Sequence, residues 1–299
     1  ITIPGGDVRI GAYAFKNCAE LTRFTVGSGA RLNFVGIKPF DGCAKFTAFA
    51  LDGNTDYFVD GGILYNAAKT QIVFVPEAVT SVTSLPSSVT EIGNNVFAGK
   101  TSLKSFNFAG ITKIGDYAFA GSGLTSVALP SSVEFVGKGA FEGCAQLSSV
   151  DISGARTDSI SDFLFKSCDS LKSVRLPVGV TSIGDGAFEN TPIQSIDFNG
   201  APIVSIGENA FMSTRLSKAE LPSSVRKIGA GAFSRIPSLS SAVIPAITEM
   251  GRGAFEGCSV LSSVTIADGA TVIGEDAFAW RPDGLNTATS PLKNVTIPD

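Results

Sequence analysis

Apolar positions along this chain follow two alternating rules that recur together. A stretch apolar at L-x-x-L-x-L, as in Leu124-x-x-Val127-x-Leu129, is followed after a short polar break by an apolar-Gly-x-x-Ala-Phe signature, as in Val136-Gly137…Ala140-Phe141. The signature recurs eleven times, without its Ala in the copies ending at Phe40, Phe97 and Phe165 and without its Gly in the last of these. The copies end at Phe15, Phe40, Phe97, Phe119, Phe141, Phe165, Phe188, Phe211, Phe233, Phe255 and Phe278, most of them about 23 residues apart. In the first stretch, alternation with period two predicts a strand that buries Val127 and Leu129. Pro130 ends it, having no N–H to give a ladder. Gly137 is expected to permit a tight turn, and Ala140 with Phe141 to share one side of a short helical turn. A fixed period of 20–29 residues marks a solenoid whose units bury a core only by stacking. The expected fold is an α/β-type solenoid, one strand and one helical turn per repeat, with residues 1–299 as a single unit.

The last apolar residue of each strand runs Ile3, Val26, Leu51, Leu85, Phe108 and so on to Ile266 and Ile297, which gives about 12 repeats. Two intervals are long. Residues 51–85 lack the Ala-Phe signature, and Tyr57–Tyr65 with Gln71–Pro76 read as the two strands of an inserted hairpin. Residues 278–292 read as an extended, turn-rich loop carrying the only tryptophan, Trp280.

Composition narrows the function classes. Hydrophobic residues make up 44% and mean hydropathy is +0.27, yet no apolar run approaches the roughly 18 residues of a membrane span. A net charge of -4 argues against nucleic acid, which calls for a basic stripe. Ile1-Thr2-Ile3-Pro4 already belongs to a repeat, so the reading expects the chain to be a piece of something longer.

The repeated L-x-x-L-x-L-P-x-x-V-x-x-I-G-x-x-A-F-x-x-C units, with the D-G-x-L-Y variant at Asp60–Tyr65, resemble the BspA-type leucine-rich repeat along essentially the whole chain. The resemblance implies a right-handed leucine-rich-repeat solenoid with one parallel β-sheet on its concave face. It also implies an extracellular or cell-surface setting, and adhesion or binding of host extracellular or matrix proteins or glycans. No family motif designates site residues.

Candidate chemistry is sparse. The chain has no histidine, which removes Ser-His-Asp and Cys-His pairs and the commonest metal ligand. The five cysteines, Cys18, Cys43, Cys144, Cys168 and Cys258, each stand three residues after a repeat Phe. Their odd number and single register favour small buried side chains over disulfides or zinc ligands. Asp52-Gly-Asn54-Thr-Asp56 opens like a calcium loop but continues with Tyr57 and Ile63 where Gly and Glu are required. Gly137-Lys-Gly139 and Gly251-Arg-Gly253 lack a full phosphate fingerprint. Asn294-Val-Thr296 is a glycosylation sequon. The expectation is no enzyme activity, no cofactor and no metal.

The concave face carries the functional expectation. Its outward positions form a serine ladder interrupted by Asp151, Arg175, Asp197, Lys218 and Glu220 on successive strands. Two readings stand: a self-neutralising cross-strand charge ladder, or a polar docking patch on an extended solenoid surface. Tyr57 and Tyr65 of the hairpin and Trp280 of the loop are the candidate aromatic anchors. The functional expectation is a non-catalytic binding module. The alternative is a structural protein that stacks end to end, since Ile1–Ile3 and Val295–Ile297 share one phase of the repeat.

Overall fold

The computed structural model describes residues 1–77, 82, 85–280 and 290–296 of the chain. It is a β-solenoid of about eleven turns. Each regular repeat carries two short strands rather than one. The L-x-x-L-x-L segments pair in parallel as a first ladder: Ser126–Ala128, Ser149–Asp151, Ser173–Arg175 and Ser195–Asp197 in one sheet, and Lys218–Glu220, Ser241–Ile244, Ser263–Ile266 and Asn294–Thr296 in another. The x-Ile segments before the repeat glycine form a second parallel ladder. One sheet of it includes Glu91–Ile92, Lys113–Ile114 and Phe135–Val136, and another runs from Ser159–Ile160 to Glu249–Met250. The expectation of a single sheet is therefore corrected to two ladders. A two-residue strand such as Ser182–Ile183 shows no alternation to read, which is why the pattern concealed the second.

The α/β label is corrected as well: no helix occurs among the described residues. The Ala-Phe segment is a chain of turns, and the backbone gives the reason. The residue two before the repeat Phe is left-handed in all eleven copies, from Tyr13 (φ 55) through Gly139 (φ 57) to Asp276 (φ 57). A residue two after the Phe is left-handed too, as at Asn17, Gly121, Ser167 and Gly257. Left-handed residues four apart cannot continue a right-handed helix. Turns instead bond to turns: Tyr117, Phe119 and Gly121 donate their N–H groups to the carbonyls of Lys138, Ala140 and Glu142, one repeat on, at 2.8, 2.8 and 2.6 Å.

Gly137 is explained differently from its expected role. Its φ is not left-handed; a Cβ there would lie 2.6 Å from the backbone N of Asp116 in the preceding turn. Gly184 and Gly207 are equally crowded, against Asp162 and Asp185. The glycine column is what lets successive turns approach closely.

Behind the turns run the phenylalanines. Phe97, Phe119, Phe141, Phe165, Phe188, Phe211, Phe233, Phe255 and Phe278 form one continuous stack, neighbours 4.9–5.7 Å apart and 7–19° from parallel. The expectation that Phe141 and Phe188 are buried between the Phe residues of neighbouring repeats holds.

The position three after each Phe follows a length rule. Where the next strand's leucine stands six positions after the Phe, Cys144, Cys168 and Cys258 point inward and donate S–H to the carbonyls of Phe119, Phe141 and Phe233 of the preceding repeat, each at 3.1 Å. Where the equivalent apolar residue stands only five positions on, Ile193 after Phe188 and Leu216 after Phe211, Thr191 and Thr214 donate to the carbonyl of their own Phe at 2.7 and 2.9 Å. Cys43, Cys144, Cys168 and Cys258 are buried free thiols, and burial raises the pKa of each. Cys18 is exposed, which corrects its expected burial.

The first 77 residues are built otherwise. β1 (Thr2–Ile10) and β2 (Arg23–Val35) are single long strands in which the two ladders merge, and β3 (Ala48–Leu51) pairs with the start of β2. The insertion holds three strands rather than two: β4 (Tyr57–Asp60), β5 (Ile63–Asn66) and β6 (Gln71–Phe74), the first two antiparallel across a turn at Gly61-Gly62. β6 then pairs in parallel with Glu91–Ile92 and starts the second ladder of the array. The hairpin divides the hydrophobic core: Leu64 and Phe74 belong to the cluster of the first repeats, Ile63, Tyr65 and Ile72 to that of the array.

Candidate binding face

The first-ladder face presents the small residues expected of it. Register places Ser126 beside Ser149, Ser173 beside Ser195, and Lys218 beside Ser241 and then Ser263. Between these runs the five predicted charged residues separate into two groups. Asp151, Arg175 and Asp197 are Cα partners on consecutive strands. Arg175 Nε lies 3.1 Å from Asp197 Oδ2, and its Nη2 donates to Asn199 Oδ1 at 2.6 Å. Lys218 and Glu220 pair on their own strand at 3.9 Å. Arg175, Asp197, Lys218 and Glu220 are each more than half exposed, a setting in which an ion pair contributes about 0–1 kcal/mol.

Asp151 is engaged locally. Its Oδ1 accepts the Ser153 hydroxyl at 2.7 Å and the Ser153 N–H at 3.0 Å, and these bonds, ahead of the charge of Arg175, hold its carboxyl below the usual range. Asp197 closes the same turn by accepting the N–H of Asn199 at 2.8 Å. Asn199 in turn donates to the carbonyl of Leu176 at 3.1 Å. Arg175 and Asn199 thus tie the strand Ser195–Asp197 back toward its predecessor.

On its other side that strand has no ladder partner: one sheet ends at Ser195–Asp197 and the next begins at Lys218–Glu220. Sequence reading ran the charge ladder straight across this boundary and missed the opening. Between the strands lies an open cleft of about 220 Å³. Its floor is apolar: Ile196, Phe198, Leu216, Ala219, Leu221 and, at the bottom, Phe233. Ile196 and Phe198 are half-buried, whereas the equivalent Val127, Val150, Val174 and Val264, and Leu129, Ile152, Leu176 and Ile266, are buried. One signal was present in the sequence. Ala219 stands where most strands carry Val or Ile, as does its register partner Ala242, so the cleft is lined on this side by a small side chain.

The predicted aromatic anchors fare unequally. Tyr65 is 2% exposed and belongs to the core, its hydroxyl pKa pushed up to about 12 by burial; it is not a surface anchor. Tyr57 and Trp280 are half-buried. Residues 281–289 of the predicted loop, 78–81, 83 and 84 of the long repeat, and Ile297 of the closing strand lie outside the described residues. In the loop that opens like a calcium site, Asp56 forms a two-point pair with Arg31 at 2.5 and 2.8 Å, and Asn54 accepts the N–H groups of Asp56 and Tyr57. Among the described residues no cluster of His, Cys, Asp and Glu has the makings of a metal site, and no helix is long and apolar enough to cross a membrane.

Where the array meets the first repeats, one turn of the stack is missing. Gly42 N–H, whose counterparts bond the next turn's carbonyl, bonds Glu77 Oε1 instead at 3.2 Å. Lys100 fills the cysteine position beside it and donates to the carbonyl of Pro76. Burial holds its pKa down to about 8, with Glu77 opposing that shift.

A family model for the BspA type leucine-rich repeat region matches residues 1–85, 78–158 and 158–285, in 6 copies. Three solved structures are similar in fold. A leucine-rich repeat protein from Bacteroides ovatus is 23% identical, with TM-score 0.59, over 91% of this chain and 67% of that one. One from Eubacterium ventriosum is 22% identical, TM-score 0.60, over 97% and 68%. A leucine rich cell surface protein from Faecalibacterium prausnitzii is 22% identical, TM-score 0.51, over 98% and 79%. No curated protein matches the chain.

Proposed function

The chain belongs to the BspA-type leucine-rich repeat family, and from that premise we propose that it is a non-catalytic binding module of the cell surface or extracellular space. It recognises a protein or glycan through the first-ladder face. One observation carries the reading: this face is lined by small side chains in register, with Asp151, Arg175 and Asp197 joined on three adjacent strands. Serine side chains lose little rotamer freedom on contact and let a partner come close to the sheet. The exposed charges then act on encounter rate and orientation more than on affinity. Tyr57 and Trp280 are secondary contacts at the margins of the array.

The test is charge reversal at Arg175. Arg175→Glu should weaken capture by a panel of immobilised matrix proteins and glycans about tenfold, mainly through a salt-sensitive association rate. Capture unchanged in this variant would remove the face from the proposal and leave Tyr57 and Trp280 as its remaining supports.

A further inference from the structure

We infer that a second binding site lies where the first repeats meet the array: a cleft beside the second ladder that takes the sugar ring of a glycan. It is separate from the first-ladder face and does not rest on that face being a binding surface.

The opening is peculiar to this place in the chain. In every other turn that has a successor, three N–H groups donate to carbonyls of the next turn: those of the residue two before the repeat Phe, of the Phe itself and of the residue two after it. Asn95, Phe97 and Gly99 donate in this way to Asp116, Ala118 and Ala120. At the junction all three bonds are lost. The N–H groups of Lys38 and Phe40 and the carbonyls of Asn94, Val96 and Ala98 find no partner among the described residues, and Gly42 turns to Glu77. The second ladder parts here too, between Phe34–Val35 and Gln71–Ile72. Its other division, between Phe135–Val136 and Ser159–Ile160, stays bridged. There Gly139, Phe141 and Gly143 keep their bonds to Asp162, Leu164 and Lys166, and the Ser161 hydroxyl bonds the Val136 carbonyl.

The cleft at the junction holds about 500 Å³, within the roughly 300–1,000 Å³ usual for small-molecule sites. Phe34 and Ile37 line it as exposed apolar side chains, with the Arg9 guanidinium 4.5 Å from the centroid of the Phe34 ring. Gly36, Gly93 and Gly115 line it without side chains, and a Cβ on each would lie 2.6, 2.7 and 2.8 Å from the backbone of Ala12, Ile72 and Asn94. The polar side chains have unused capacity of both kinds. Asn94 Oδ1 accepts the Asp116 N–H at 2.9 Å, which leaves its amide N–H groups free. Gln71 Nε2 donates to Glu91 Oε2 at 3.3 Å, which leaves Oε1 free to accept. Lys113 makes no ion pair among the described residues; its ammonium lies 5.6 Å from the centroid of the Phe135 ring.

A pyranose matches this set. Its C–H face packs on the negative face of an aromatic ring, and its hydroxyl groups both donate and accept. A purely apolar ligand would cover Gln71, Asn94 and Lys113 without pairing them. A small anion would meet Lys113 but also Glu91, its register partner. An extended peptide has no continuous path, because Val75 and Glu77 border the space beyond, where it narrows to about 40 Å³.

The probes are lactose, maltose and chitobiose, with cyclohexanol as the apolar control, titrated into the intact chain and read by amide chemical shifts. At least one disaccharide should bind saturably, shift Gly36, Ile37, Gln71, Gly93 and Asn94, and bind about tenfold or more tighter than cyclohexanol. Phe34→Ala should abolish that binding. Gln71→Ala and Lys113→Ala should each weaken it about threefold to tenfold with the melting temperature unchanged, which keeps the test valid if Phe34→Ala disturbs the fold. Saturable binding of none of the three sugars, equal binding of cyclohexanol, shifts centred away from the junction, or full affinity in both Gln71→Ala and Lys113→Ala overturns the site.

Discussion

Between residues 188 and 233 the front and the back of one solenoid behave differently. At the back, the rings of Phe188, Phe211 and Phe233 lie 5.2 and 5.1 Å apart, and the second ladder runs through without a break. At the front, the first ladder stops at Asp197 and restarts at Lys218. Both layers belong to the same repeats, so the period alone does not set continuity. The back is held by the Phe and the left-handed residue two before it, present in every copy, and by a Gly in every copy but the one with Ser161, close-packed in all of these after the first. The front depends on what each repeat puts at its free positions, and there the ladder stops after Ser195–Asp197 and begins again at Lys218–Glu220. The constant positions that hold the repeats together thereby lie in a different layer from the proposed recognition surface.

The largest effect should come from breaking the back. Phe188→Ala removes a fully buried ring between two others and should cost about 3–5 kcal/mol through lost transfer energy and the cavity left behind. Because repeats contact only their neighbours, hydrogen exchange should accelerate around Phe165 and Phe211 and not around Phe97. A wild-type melting temperature would contradict the framework role.

Next comes the junction at Lys100. Its folded pKa, about 8, lies below the unfolded value of 10.5, so the unfolded state holds more protons between those limits. Below pH 8 the lysine is charged in both states and the cost of burying that charge is fully present. It is relieved as pH rises toward 10.5. The stability of the wild type minus that of Lys100→Met should therefore increase by about 1.4 kcal/mol per pH unit across this window, a subtraction that cancels the thiols and tyrosines. A flat difference would mean the ammonium is solvated.

A smaller effect tests the left-handed column. Gly186 has φ 57, and a Cβ there would meet the Phe163 ring at 2.5 Å. Gly186→Ala should cost about 1–3 kcal/mol. Phe163→Ala should recover part of it, a coupling that a double-mutant cycle reads directly. The smallest change in stability is expected at the front, where Arg175→Glu removes an exposed pair and should alter folding by under about 1 kcal/mol.

The period, the phenylalanine core and the buried cysteine slot were legible because each repeats in register. The second ladder was not, since two-residue strands such as Ser182–Ile183 have no alternation to detect. The turn was misread as helical because the left-handed position accepts Tyr117, Phe163 and Asn209 as well as glycine, and so leaves no single residue signature. The charged residues of the candidate face were found at the outward positions predicted. Their separation into two groups was not foreseeable from spacing alone, because the repeat period runs unchanged through the sheet boundary between Ser195–Asp197 and Lys218–Glu220. Tyr65 illustrates the limit of composition: its ring lies in the core.

The central claim is that the front is open where the back is closed, and native-state hydrogen exchange measured amide by amide tests it most directly. Phe198 and Ser217 should exchange with little protection. Phe211, Gly207 and Gly229, whose N–H groups bond Ala232, Ile183 and Ile206 at 2.7, 2.7 and 2.8 Å one layer behind, should be protected by orders of magnitude. Protection of Phe198 and Ser217 equal to that of Leu176 and Leu221 would mean a continuous first ladder, and would contradict the account.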